Sequence, residues 1–397
     1  MQRVDNHKIF GAFQVLCFGL LLSLEGYSAA ARAELKWLSD NELSDVTGQA
    51  FIRLDDYAHD NHRFTRVNLG LDVDIQTNID SLQLGTYHRW EKHPTNPALN
   101  GTMCQTCNGT EVGLEKKASD IHIDNFSLGY IDKRTDEIHP FRILDPYLEF
   151  AFDENGDASG VRLGFGKAKG WLSGDILSLT GNLDISIEDT AAGLAYAGPN
   201  CSSGAYSCLL GYLLKGLGPV LLGDSKIQSD ALLVNAQGQP DPIRGSMVGM
   251  LSGTPLTVDA TGELNWFDKI AIDLMIALTP SRYQASRQGD IIQFYSSGCD
   301  ILTIELCFPL SNFGSFEIGR GQEEGTEGFF MSAQKHDIRW AQTFDGNDRD
   351  KVTSDQLTGL GAFLNIPNNG VVVNIQEALK GIDRQRTEYV DRGRGLF

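Results

Sequence analysis

The chain is expected to be mainly β: a large antiparallel sheet, a sandwich or a partly closed barrel, with few short helices. Three observations carry this expectation. Apolar and polar residues alternate over long stretches; in Val67–Ile75 every odd position is apolar, and a pleated strand sends such neighbours to opposite faces. Turn residues punctuate the stretches, most clearly in Asp153-Glu-Asn-Gly-Asp157, where Asn-Gly favours a hairpin. Helical periodicity is scarce.

In chain order, Arg3 and Lys8 precede an apolar stretch from Ile9 that ends Ala31-Arg32-Ala33. A basic start, an apolar run and a small-x-small ending define a secretory signal peptide over 1–33, cleaved before Glu34. The run is too short and is interrupted by Glu25, which argues against a membrane anchor. Cys17 follows Val15-Leu16, so lipid attachment there is rejected. Residues 34–49 read as a short capped helix: Ser39-Asp-Asn-Glu42 is a capping box and Gly48 a stop.

Residues 50–374 form the expected β-rich body, opening with a strand at Ala50–Leu54. Alternation recurs at Ile121–Tyr130, Leu148–Phe152, Val161–Phe165, Leu177–Ile187, Leu256–Val258, Ile270–Leu278 and Ile301–Phe308. Asp72, Asp74, Asp184 and Asp273 fall on the wet faces, where charge discourages edge-to-edge association. A break between two sub-domains is placed near 190–225. There lies the most apolar stretch after the leader, Leu209–Leu222, with a helix near Leu209–Leu214. It is too short to span a bilayer and carries Lys215 and Pro219. It is expected to bury against the sheet, with membrane contact through 209–222 as the alternative. Residues 375–397 read as a helix, Ile375–Ile382, followed by a charged tail.

Six cysteines follow the leader: Cys104 and Cys107, Cys201 and Cys208, Cys299 and Cys307. An even number in close pairs, in an exported chain, predicts three local disulfides. No second pair matches the Cys104-x2-Cys107 spacing, so zinc is disfavoured.

Asp153, Asn155 and Asp157 place oxygens at alternate positions, as the start of a calcium loop does. Ala158 stands where that loop wants Gly and Gly164 where it wants Glu, so a hairpin turn is the preferred reading and no cofactor is expected. Asp345-Gly-Asn-Asp-Arg-Asp350 has Arg349 at a ligand position. His59-Asp-Asn-His62 reads as a solvated turn. The sequence contains no G-x-S-x-G elbow, H-E-x-x-H, P-loop or dinucleotide fingerprint, and no enzyme is proposed from it.

The net charge is −19, and removing the leader leaves about −20 over 364 residues. Such a surface repels phosphate backbones, so no nucleic-acid partner is expected. Long alternating strands and a terminal Phe397 fit an outer-membrane barrel, but the ending Asp391-Arg-Gly-Arg-Gly-Leu-Phe397 lacks the alternation of a closing barrel strand.

Leu38-Ser-Asp-Asn-Glu-Leu-Ser-Asp-Val-Thr-Gly-Gln49, just after the leader, resembles the N-terminal signature of exported Gram-negative proteins of the FilA type, labelled as pilus-assembly proteins. The match rests on Leu38, Ser39, Asp40, Glu42, Leu43, Ser44, Val46, Thr47, Gly48 and Gln49. The resemblance implies an envelope or surface location, other envelope or appendage proteins as partners, and no catalytic residues. The expected function is therefore that of an exported, non-enzymatic envelope protein. A carrier of lipid or another hydrophobic ligand and an outer-membrane barrel are the alternatives.

Overall fold

The fold is taken from a computed structural model of the 397-residue chain. It describes residues 52–388 apart from 91–92, 94, 101, 105–118, 198–204, 280, 282, 302–303 and 346–347. The leader, the capped helix of 34–49 and the end of the charged tail lie outside the described residues. Those from 51 onward cluster as one compact unit.

The first strands are β1 (Ile52–His59), β2 (His62–Leu69), β3 (Asp72–Ile75), β4 (Thr77–Leu84) and β5 (Ile121–Leu128). The short pair β6 (Tyr130–Ile131) and β7 (Ile138–His139) precedes β8 (Phe141–Phe152), β9 (Ala158–Leu179) and β10 (Gly181–Thr190). β1 and β2 join through Asp60-Asn61, both at positive φ, as a two-residue type I′ hairpin requires. Val67–Ile75 is thus two strands, both paired with β8, with an interruption at Gly70-Leu71. Leu177–Ile187 is likewise divided, at Thr180.

β9 is the spine. One edge pairs with β8 as far as Lys169 and with β5 from Leu172. The change of partner falls at Gly170, whose φ of +134° is open to glycine and few others.

After helix α1 (Ala205–Leu222) come β11 (Lys226–Leu233), β12 (Met247–Gly249) and β13 (Pro255–Asp259), then helix α2 (Trp266–Leu278). β14 (Ala285–Gln288), β15 (Ile291–Tyr295), β16 (Asp300–Ile301), β17 (Ile304–Glu305), β18 (Cys307–Pro309), β19 (Ser315–Ile318) and β20 (Phe330–Gln334) follow. The hairpin β21 (Ile338–Asp345) and β22 (Asp348–Thr358), the strand β23 (Gly361–Val373) and helix α3 (Ile375–Lys380) complete the described chain.

Seventeen strands share one sheet that does not close into a barrel. The sheet is mixed rather than wholly antiparallel, because β10 and β23 run parallel. The stretch 190–225 lies between β10 and β11, which pair with each other. α3 matches the expected terminal helix; Asn374 and Glu377 cap it reciprocally.

Two cores result. The larger runs from Ile121 to Ile375 along the sheet. The smaller sits under the β21–β22 hairpin, around Phe64, Phe330 and Trp340.

Candidate docking surface

The expected strand at Ile270–Leu278 is a helix. Asn265 precedes it in an extended conformation, and its side chain accepts the Phe267 and Asp268 amides while Asp268 accepts the Asn265 amide. That reciprocal cap fixes the first turn of α2. Asp273 therefore sits on a helix, not on the wet face of a strand.

α2 is apolar on both sides. Ile272 is fully buried, with Met275 and Ile276 packed against the main core. On the other side Trp266, Phe267, Ile270, Leu274 and Leu278 are 46–64% exposed. Asp268 and Lys269 lie off that outward face, and Asp273, 55% exposed, stands at its edge next to Trp266. Asp268 closes the cap, Lys269 Nζ reaches Asp290 at 2.7 Å, and Asp273 takes Arg287 bidentately at 2.6 and 2.7 Å. The Arg287 guanidinium lowers the pKa of Asp273 and holds it charged.

α1 also differs from expectation. It is helical through Lys215 and Pro219 rather than ending near Leu214. Its burial is partial: Leu222 is buried, whereas Leu209, Tyr212 and Val220 are exposed, Val220 by 77%. The reason is what lies beneath. Residues 191–196 form a short helical turn whose Leu194 is already in the core, and α1 packs on that turn at Gly218. The sheet face is covered before α1 reaches it.

The residue that follows α1 lies near the segment that leads into α2. Gly223, just past α1, lies against the Glu263 side chain; a Cβ built on it would come 3.6 Å from Oε2. The strands that leave α1 and lead to α2 are neighbours, with Lys226 of β11 opposite Asp259 of β13. Two outward apolar helices therefore stand at one end of the sheet.

Inside lies an apolar cavity of about 60 Å³, with Ile185, Leu194, Val248, Leu256, Phe308 and Leu379 among its walls. Its lining is almost wholly apolar.

The calcium candidates lie elsewhere, in the turn between β8 and β9. Asp153 Oδ1 accepts the amides of Asn155 and Asp157, each at 2.9 Å. The Asp157 amide leads in lowering the Asp153 pKa. Gly156 has φ +84°, and the hairpin is the one that Asn155-Gly156 predicts. Asp153, Asn155 and Gly156 line an open polar cleft of about 550 Å³ with His59, Asp60 and His62. The His59-Asp-Asn-His62 segment is a turn, as expected, but it is not wholly solvated: His59 Nε2 lies 2.8 Å from the Asp355 carboxylate. Among the described residues no three His, Cys, Asp or Glu side chains group closely enough to hold a metal. Gly346 and Asn347 of the second acidic loop lie outside the described residues.

Cys299 and Cys307 form a disulfide, and Cys104 and Cys208 are each disulfide-bonded. Cys107 and Cys201 lie outside the described residues.

Two buried ionic clusters escaped the sequence reading. Glu149 accepts Tyr57 Oη and Arg66 Nε, each at 2.7 Å, and is clamped by Arg162, which also donates to the Ala341 carbonyl at 2.8 Å. Burial alone would raise the pKa of Glu149; Arg162 and Arg66 outweigh it and hold the pKa down. Burial, then Glu149, raises the pKa of the Tyr57 phenol. Asp120 takes Arg89 and Arg244 at 2.8 and 2.9 Å and the Ala362 amide at 3.0 Å. These carboxylates are committed to guanidiniums and tie distant segments together; alternation in sequence cannot signal partners 13 to 242 residues apart.

The fold and this surface define a mainly β scaffold with an apolar helical end. No protein-family model, curated protein or solved structure matches the chain.

Proposed function

We propose that this is an exported, non-enzymatic protein of a Gram-negative cell envelope that works by contact, docking its apolar helical end on another envelope component. The observation that carries the reading is the outward face of α2, where five large apolar side chains stand in solvent. A contiguous exposed apolar patch on a folded domain marks an interaction surface. The leader and the LSDNELSDVTGQ signature support the compartment, and through the resemblance a place beside a surface appendage.

Fractionation of cells expressing the full chain, with the N-terminus of the recovered protein sequenced, tests the proposal. The expected result is recovery in the envelope fraction with Glu34 at the N-terminus. Full-length protein in the cytoplasmic fraction would sink it.

A second reading, a carrier of a hydrophobic ligand, is favoured by the unbroken apolar lining of the interior cavity. Its size argues the other way: benzene occupies an engineered cavity of about 150 Å³, so this one must widen before it holds a chain.

A further inference from the structure

We propose that the component docked is a lipid surface of neutral headgroups, and that α2 enters it lying in the plane of the interface. This rests on the docking reading above and names the partner of the same surface.

Consider first what the face offers. At 3.6 residues per turn, Trp266, Phe267, Ile270, Ala271, Leu274, Ala277 and Leu278 cover an arc of about 140°. Within that arc the Trp266 indole N–H is the one side-chain hydrogen-bonding group, and at its edge stands the exposed Asp273 carboxylate, which Arg287 already occupies bidentately. A protein partner makes roughly one hydrogen bond per 100–200 Å² of interface; hydrocarbon asks for none. The charges of α2 are already engaged, by its cap and by Asp290 and Arg287, so no ion pair breaks when the face leaves water.

Continuity points the same way. α1 carries a single charge, Lys215, in 18 residues, exposes Leu209, Tyr212 and Val220, and is followed by Gly223, which lies against Glu263 of the segment leading into α2. Trp and Tyr combine an apolar ring with a polar tip and suit the boundary between headgroups and acyl chains. No described helix is long and apolar enough to cross a membrane. α2, about 20 Å long, is suited to lie at the surface instead. The headgroup class follows from charge. The chain carries −19 overall, and exposed Asp224 and Glu263 lie at the junction of the helices, so anionic lipid repels it.

The test uses the leader-cleaved chain with its disulfides intact. It is floated with phosphatidylcholine vesicles, with vesicles containing one third phosphatidylglycerol, and with phosphatidylcholine vesicles in 1 M salt. The expected result is flotation with phosphatidylcholine that high salt does not reverse and phosphatidylglycerol does not improve. Brominated acyl chains should quench tryptophan emission in the parent and quench it far less in Trp266→Phe. Ile270→Asp/Leu274→Asp should reduce the floated fraction at least tenfold with an unchanged circular dichroism spectrum.

The lipid proposal is overturned by a parent protein that stays at the bottom of the gradient, whether as a monomer or as a dimer through this face. Equal flotation of the double variant, or binding that appears only with anionic lipid and vanishes in salt, overturns it equally. If the chain is recovered from the envelope fraction yet fails to float, only the lipid assignment falls. If it is not exported, the functional reading falls with it.

Discussion

Asp184 shows how one residue can set a pH dependence. It projects from β10 beside β11, and burial, followed by the charge of Asp230, raises its pKa to about 6. The unfolded chain holds the same proton with an ordinary value of about 3.9. Between those values the folded state binds more protons than the unfolded one, so stability declines as pH rises through this window and stays lower above it. Asp184→Asn removes the term. Urea midpoints at pH 4 and pH 8 should show the variant gaining about 1–2 kcal/mol over the parent at the higher pH, a discounted conversion for a partly solvated group. Parallel pH profiles for the two proteins would rule out the assignment. Glu149 has the opposite arrangement: its guanidinium partners lower its pKa, so its contribution is lost as pH falls.

At the scale of the element, α2 is where the alternation rule failed. Ile270, Ile272, Leu274, Ile276 and Leu278 alternate as a strand would, but Ala271, Met275 and Ala277 between them are apolar too. A segment apolar on nearly all sides satisfies both periods, so periodicity does not discriminate. The cap does, and Asn265-x-x-Asp268 was present in the sequence. Replacing Asn265 with alanine should destabilise the protein by about 1 kcal/mol. It should also speed amide exchange in Phe267 and Asp268, whose N–H groups Asn265 holds. Exchange at those two amides that does not change would show that packing, not the cap, holds the first turn. α3 was read as a helix from its own residues, and the structure adds the same kind of reciprocal cap, Asn374 with Glu377.

For the whole molecule, the disulfides act locally. Cys299 and Cys307 are eight positions apart and enclose the β16–β17 pair, a loop short enough that closing it is worth about 2–3 kcal/mol. Reduction should lower the denaturation midpoint by that order and leave the far-ultraviolet spectrum of the sheet in place. If all six cysteines pair, the intact mass rises by about 6 Da on reduction. Global unfolding on mild reduction would mean that the bridges hold the core. The core argues otherwise, since it runs along one sheet from Ile121 to Ile375.

The sequence by itself determined the class of fold, the hairpin at Asn155-Gly156, the terminal helix and the Cys299–Cys307 bridge. Each depends on residues close in the chain, where pattern and turn chemistry act directly. Tertiary structure alone decided which strands neighbour one another, that β10 and β23 run parallel, and that Glu149 and Asp120 lie buried between arginines. It also decided that the apolar stretch of α1 faces outward in part. The physical reason is the same throughout: a side chain's burial depends on what else packs on the sheet, and that is set by segments outside its own local pattern, from the turn at 191–196 under α1 to Ala362 against Asp120.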